Sequence, residues 1–268
     1  MNEPLNLKQV EIKGKSTEKY FFRSLYALTI QEIISTDGRL YGGAFYTVLR
    51  PLITTLLIVF ISQSLNPNLS LAEGLAIFLL PFANTFFLLD IISRSGHINE
   101  GLLNLPHVKI TSLLISGIIS RFISYLPVYL ICSLILFLFD VEFSIVRIFF
   151  TSLLICFTSS SYLLIASMIL FRNSILQNFH TFLPRALFFL SGTFIPMKNL
   201  SFDIQWYFYL NPIVHINEYA RMSVGEYNYE TYSINYPLFF AAILFILYPL
   251  FYHIRVNIFH YGDRTILK

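Results

Sequence analysis

In a sequence with few polar side chains, two groups stand where they could do chemistry. Arg185 interrupts an apolar run, with Gln177, Asn178 and His180 before it. Helical spacing puts Arg185 on one face with Asn178 and Phe182, and with Gln177 and Phe188. A charge inside a bilayer costs about 2.5–3.5 kcal/mol or more unless it faces water or a partner. Arg185 is therefore expected to line a polar path, the alternative being a pair within the protein, with Asp90 or a backbone carbonyl. The second group is Glu218 and Arg221, three residues apart, a spacing that pairs a carboxylate with a guanidinium on one helix. Catalytic patterns are missing. The six His are scattered, His253 and His260 are seven apart, and no HExxH string occurs, so no metal site is expected. Gly14-Lys15-Ser16 ends like a phosphate-binding loop, but Gln9 stands where that loop needs its first glycine. No Ser, His and Asp converge. Cys132 and Cys156 fall inside apolar runs and read as small buried hydrophobes. No enzyme activity, cofactor or nucleotide site of the chain's own is expected.

The elements that must position these groups follow from composition. Of 268 residues, 56% are hydrophobic, 17% aromatic and 12% charged. Soluble domains carry about 25% charged residues. With mean hydropathy at +0.65, a soluble or disordered protein is excluded. The net charge of +3 is too small to imply nucleic acid. A spanning helix needs about 20 apolar residues. Six runs qualify: 44–64, 71–93, 120–139 (with Arg121 at its edge), 145–170, 175–195 and 237–256. The first has Arg50-Pro51 at its base. Before it, residues 20–43 mix Phe21, Phe22, Leu25 and Leu28 with Arg23, Gln31 and Glu32, the pattern of an amphipathic helix in the membrane interface. Residues 196–236 are too polar to span. The expected fold is an all-α membrane protein with six transmembrane helices, an N-terminal interface helix and a re-entrant outer segment before the last span. It reads as one domain over 1–268: polar tail 1–19, interface helix 20–43, bundle 44–256 and tail 257–268. The N-terminus has no apolar stretch of a cleaved signal peptide. Lys8, Lys13, Lys15, Lys19, Arg23, Arg39, Arg94, Lys109, Arg172, Arg255, Arg264 and Lys268 fall on one side. Arg147, Lys198 and Arg221 fall on the other, with Glu73, Asp140, Glu142, Asp203, Glu218, Glu226 and Glu230. Positive residues mark the cytoplasmic side, so both termini are expected there.

Local strings sharpen the fold into a resemblance. Ala27-Leu28, Gln31-Glu32-Ile33, Gly38, Gly42 and Arg50-Pro51-Leu52 are similar to the N-terminal motif of KpsM-like capsular polysaccharide permeases, which belong to the type-2 ABC exporters. Leu190-Ser191-Gly192-Thr193-Phe194-Ile195-Pro196 resembles the end of their fifth span. Asn211-Pro212, His215, Glu218 and Arg221 resemble their outer re-entrant segment. The likeness runs from about Tyr20 to Val256. The chain departs from the motif at Gln31, Thr36-Asp37, Arg50 and Phe45 or Tyr46.

The resemblance implies a permease homodimer in the bacterial inner membrane, driven by two copies of a separate cytoplasmic ATPase that holds ATP and magnesium. The cargo it implies is a lipid-linked capsular polysaccharide. Periplasmic adaptor and outer-membrane export proteins would continue the route. The expected substrate path uses Arg185, His180, Gln177, Asn178, Phe182, Arg50, Arg121 and Tyr46. Tyr125 and Tyr129 join Tyr46 and Phe182 as surfaces over which sugar rings would slide. Arg23, Arg39, Arg50 and Arg121 would recruit an anionic lipid-linked end. The loop 94–109 would couple to the ATPase through His97, Ile98, Asn99, Glu100, Gly101, Leu102 and Leu103. Asn211, Pro212, His215, Glu218 and Arg221 would form an outer gate. The alternatives are export of O-antigen, teichoic acid or a small molecule on the same fold, and a membrane-embedded glycosyl- or acyltransferase, against which the lack of paired inner-face acids weighs.

Overall fold

The computed structural model describes residues 14–37, 42–93, 110–170, 182, 185–224 and 232–266. Eight named helices are described: α1 (Gly14–Asp37), α2 (Gly42–Leu65), α3 (Leu71–Ser93), α4 (Ile110–Leu138), α5 (Ile145–Leu170), α6 (Phe202–Tyr209), α7 (Pro212–Met222) and α8 (Asn235–Ile266). A short helical stretch covers 185–189 and a 3-10 turn covers Met197–Asn199. Among the described residues there is no strand, only an isolated bridge between Phe143 and Val224.

Four helices are long and apolar enough to cross a membrane: Phe45–Leu65, Leu71–Ile92, Leu114–Leu138 and Ile145–Ala166. They match four of the six expected runs. Helix α4 begins at Ile110 rather than at residue 120, because the helix continues past the stretch that hydrocarbon thickness alone demands. Of the expected fifth run, residues 182 and 185–195 are described: 185–189 are helical, but the chain turns from residue 190 and Gly192 takes a left-handed φ, so the helix stops short of residue 195. The sixth begins as the apolar stretch Asn235–Leu250 of α8. Helix α1 starts at Gly14, inside the expected polar tail, since Lys and Glu are good helix formers. It packs on α4, with Leu28 and Thr29 buried and Phe22, Tyr26 and Ile34 exposed.

Helix α3 is the axis of the fold. It packs against α2, α4, α5 and α7, while α8 packs on α5. Its buried Leu79, Leu80, Phe82, Phe87, Ile91 and Ile92 meet Val59, Leu136 and Ile155. Its first turn is fixed by a reciprocal cap: Glu73 Oε2 accepts from the Ser70 amide (2.9 Å), and Ser70 Oγ accepts from the Glu73 amide (3.2 Å). In lipid every backbone and hydroxyl group needs an internal partner. The hydroxyls of Thr54, Thr55, Thr85, Ser133, Thr151, Ser159 and Ser160 therefore bond carbonyls one turn back in their own helices. The outward faces are apolar, with Phe60, Leu65, Phe137 and Ile246 exposed to what a bilayer would supply.

Helices α2 and α3 meet at Gly74, where an added Cβ would lie 2.6 Å from Val59 Cγ1. Gly74→Ala is expected to cost about 1–3 kcal/mol by overpacking, read as a lower melting temperature in detergent. Val59→Ala in the same chain should recover part of it. A Gly74→Ala protein that melts like wild type would contradict this close approach.

Candidate functional site

Two polar clusters sit along α3, one around Pro81 and one at Asp90, and they are labelled outer and inner after the sidedness expected from the sequence. The outer one begins with Pro81. A proline inside a helix cannot donate to the carbonyl four residues back, here that of Ile77. Arg221, wholly buried, supplies the missing donor: its Nε bonds the Ile77 carbonyl at 3.0 Å. Its Nη1 donates to Glu218 Oε1 (2.5 Å), and its Nη2 donates to the carbonyls of Gly192 (2.6 Å) and Thr193 (3.1 Å). Glu218, equally buried, also accepts from the Met197 amide (3.1 Å). The pair expected from spacing thus exists, and it joins three segments.

The chain is shaped to meet it. Gly192 takes φ +69°, the left-handed region open to glycine, which turns the chain out of the 185–189 helix. The carbonyls that this turn leaves over are covered by Asn211 Nδ2 on Leu187 (3.4 Å) and Leu190 (2.9 Å), and by Ser191 Oγ on Phe188 (2.6 Å). Asn211 Oδ1 meanwhile caps α7 by accepting from the Ile213 amide, and Pro212 occupies the first helical position. Gln205 of α6 donates to the Met197 and Leu200 carbonyls (2.9 and 2.8 Å).

A buried hydrogen-bond chain extends inward. The Tyr129 hydroxyl donates to Asn84 Oδ1 (2.8 Å), Asn84 Nδ2 to Asn217 Oδ1 (3.3 Å), and Asn217 Nδ2 to Thr193 Oγ1 and the Ser191 carbonyl (both 3.0 Å). The Thr85 and Thr193 hydroxyls lie 2.6 Å apart. Sequence reasoning missed this chain. Its one signal was Asn84-Thr85 in the middle of an otherwise apolar run.

His215 packs between the rings of Tyr209 (5.1 Å) and Tyr236 (5.0 Å). Its Nδ1 accepts from the Ser233 amide and its Nε2 faces the Tyr209 carbonyl, both at 3.0 Å. That pattern fits the neutral ring with Nε2 protonated. Burial pushes its pKa below the usual histidine value, against an opposing pull from the Tyr209 carbonyl and Glu218.

The inner cluster joins α2, α3 and α4. Arg50 Nη1 lies 3.4 Å from Asp90 Oδ1, and the Tyr125 hydroxyl donates to Asp90 Oδ2 at 2.5 Å. The Arg50 guanidinium stands 4.4 Å over the Phe86 ring. Asp90 therefore pairs with Arg50, not with Arg185 as the sequence alternative had it.

The expected site residues distribute as follows. Asn211, Pro212, His215, Glu218 and Arg221 come together, all turned into packed protein rather than towards an opening. Tyr125 and Tyr129 are buried with their hydroxyls engaged, so they offer no sliding surface, and the Phe87 ring packs on Tyr125 at 4.8 Å. Arg185, Phe182 and Tyr46 are exposed, and Arg121 and Arg50 are half-buried. Gln177, Asn178, His180 and the coupling loop His97–Leu103 lie outside the described residues. Among the described residues no three His, Cys, Asp or Glu side chains stand together to hold a metal ion.

Two outcomes follow for the outer cluster. Glu218→Gln leaves a buried guanidinium uncompensated and is expected to cost about 3–5 kcal/mol, read as early unfolding in detergent or loss from the membrane. The double change Glu218→Leu, Arg221→Met should cost less than the two single changes added together, since neither charge is left without its partner. His215 has a depressed folded pKa, so its unfolded form takes up the proton first as pH falls. Its contribution is complete above the ordinary value of about 6.5 and is lost as pH drops through the folded value. The melting temperature is expected to fall from pH 7 to pH 5, and less steeply in His215→Asn.

Residues 23–224 match the family described as ABC-2 type transporter. The chain is similar to a polysialic acid transport protein KpsM of Escherichia coli, 28% identical over 232 residues, which is 82% of this chain and 89% of the relative. A second Escherichia coli polysialic acid transport protein KpsM is 26% identical over 233 residues, with the same shares covered. The matched span takes in both clusters, the four membrane-crossing helices and α7. The chain is a membrane protein that belongs to the ABC-2 type transporter family, and its resemblance to KpsM-like permeases extends over most of its length.

Proposed function

We propose that two copies of this chain form the membrane part of an ATP-driven exporter that moves lipid-linked capsular polysaccharide across the bacterial inner membrane. The observation that carries the reading is the likeness to polysialic acid transport proteins over 82% of the chain. Two copies of a cytoplasmic ATPase supply ATP, magnesium and the closing motion, and residues 97–103 fit against them. Both termini are cytoplasmic in this reading, because the short loops on that side hold most Lys and Arg. The last helix and the run at 175–195 complete six spans.

The path lies between the copies. The exposed Arg185, Phe182 and Tyr46, with Arg50, Arg121, Gln177, Asn178 and His180, provide cations and rings along it. Such a path needs repeated weak contacts, since tight binding would stall a long polymer. The α6–α7 segment closes the outer end as a cap. Periplasmic adaptor and outer-membrane proteins continue the route in this reading.

The test is made in cells. Deleting the gene is expected to abolish surface glycan and leave it inside on its lipid. Replacing Glu100 or Leu102 should leave insertion and ATPase assembly intact while uncoupling hydrolysis from export. Export that survives deletion of residues 97–103 would contradict the assignment.

A further inference from the structure

The outer cluster is saturated, and the inner one is not. Arg221 uses its Nε, Nη1 and Nη2 on four acceptors and is 0% exposed. Arg50 has five N–H donors in a planar fork. One of them reaches Asp90 Oδ1 in a 3.4 Å contact, and the side chain is 36% exposed. The other oxygen of Asp90 takes a 2.5 Å bond from Tyr125, which holds the carboxylate back on α4. Arg50 thus has a weak counter-ion and an open face.

A second cation stands close to the same wall. The Phe86 ring beneath Arg50 meets the Phe188 ring at 5.7 Å. Phe188 follows Arg185 by three residues on the short 185–189 helix, so the two share a face. Arg185 is exposed. Arg50 therefore stands on the Phe86 side of an aromatic wall made by α3 and residues 185–189, and Arg185 lies one helical turn before the Phe188 that completes it. The wall lies near the end of the spans: Asp90 is close to the end of Leu71–Ile92, and Arg50 is about 8 Å along Phe45–Leu65 at ~1.5 Å per residue. That is the depth of a lipid's phosphate and the first part of its chains.

We propose that Arg50 and Arg185 together bind the phosphate of a lipid-linked substrate, with Asp90 as the internal anion that it displaces from Arg50. Phosphate oxygens match guanidinium forks, and charge-assisted bonds of this kind are about twice as strong as neutral ones. The apolar wall of Phe86 and Phe188 takes the adjoining part of the lipid chain. Tyr125 keeps Asp90 satisfied when Arg50 leaves it, so the exchange strands no buried carboxylate. The site deepens the export reading and rests on it.

The test uses the permease with its ATPase in phosphatidylcholine nanodiscs, titrated calorimetrically with dodecyl phosphate. Wild type is expected to bind, and Arg50→Ala and Arg185→Ala should each weaken binding at least about tenfold. Asp90→Asn should strengthen it by removing the competitor, a result that general damage to the fold cannot give. Arg50→Lys should lie between wild type and Arg50→Ala. Wild-type affinity in both alanine variants overturns the site. Equal displacement by phosphatidylglycerol also overturns it, as a site for ordinary bilayer lipid. A gene deletion that leaves surface glycan intact would instead overturn the export reading, and it would leave the binding result standing.

Discussion

The packing of the outer half depends on one buried guanidinium. Pro81 breaks the hydrogen-bond ladder of α3 and leaves the Ile77 carbonyl without its helical donor. Arg221 mends it from another helix, and in doing so becomes a buried cation that needs an anion. Glu218 is that anion, one turn earlier on α7. The glycine turn at 190–197 then supplies two carbonyls and one amide to the pair. Removing any member leaves another polar group in a low-dielectric interior, so the segments stand or fall together. The Tyr129–Asn84–Asn217–Thr193 chain extends the same logic towards the middle of the bundle.

The contrast along α3 matters for transport. At its outer end the polar groups are matched bond for bond and shut away, which suits a cap. At its other end Arg50 is held by one long ion-pair contact and the Phe86 ring and stands partly open, which suits a place where an anion comes and goes. The exposed apolar faces of α2, α4 and α8 are what a protein with membrane-crossing helices presents to lipid.

Much of this was legible in the sequence, and what was not had a common cause. The runs at 71–93 and 145–170 coincide with α3 and α5, because a lipid-crossing helix is fixed by local composition. The Glu218–Arg221 pair was legible from its spacing alone. Its third partner was not. Ile77 lies far away in sequence, and only the fold brings its carbonyl to Arg221, although Pro81 marked which carbonyl would need a donor. The same holds for Asp90. Nothing local said whether Arg50 or Arg185 would pair with it. Tyr125 and Tyr129 looked like surface rings near an interface, yet their hydroxyls found acceptors on α3, which only tertiary contact decides.

If this account is correct, α3, the 190–197 turn and α7 move as one body, and the path opens between copies rather than by peeling α7 from α3. The hydroxyls of Thr85 and Thr193, 2.6 Å apart, offer the direct measurement. Cysteines at these two positions, in a chain whose Cys132 and Cys156 have been replaced, are to be oxidised in the membrane while surface glycan is followed. The account predicts that the disulfide forms readily and that export continues at the same rate with and without reductant. Failure of the bond to form, or export that stops on oxidation and resumes on reduction, would contradict it.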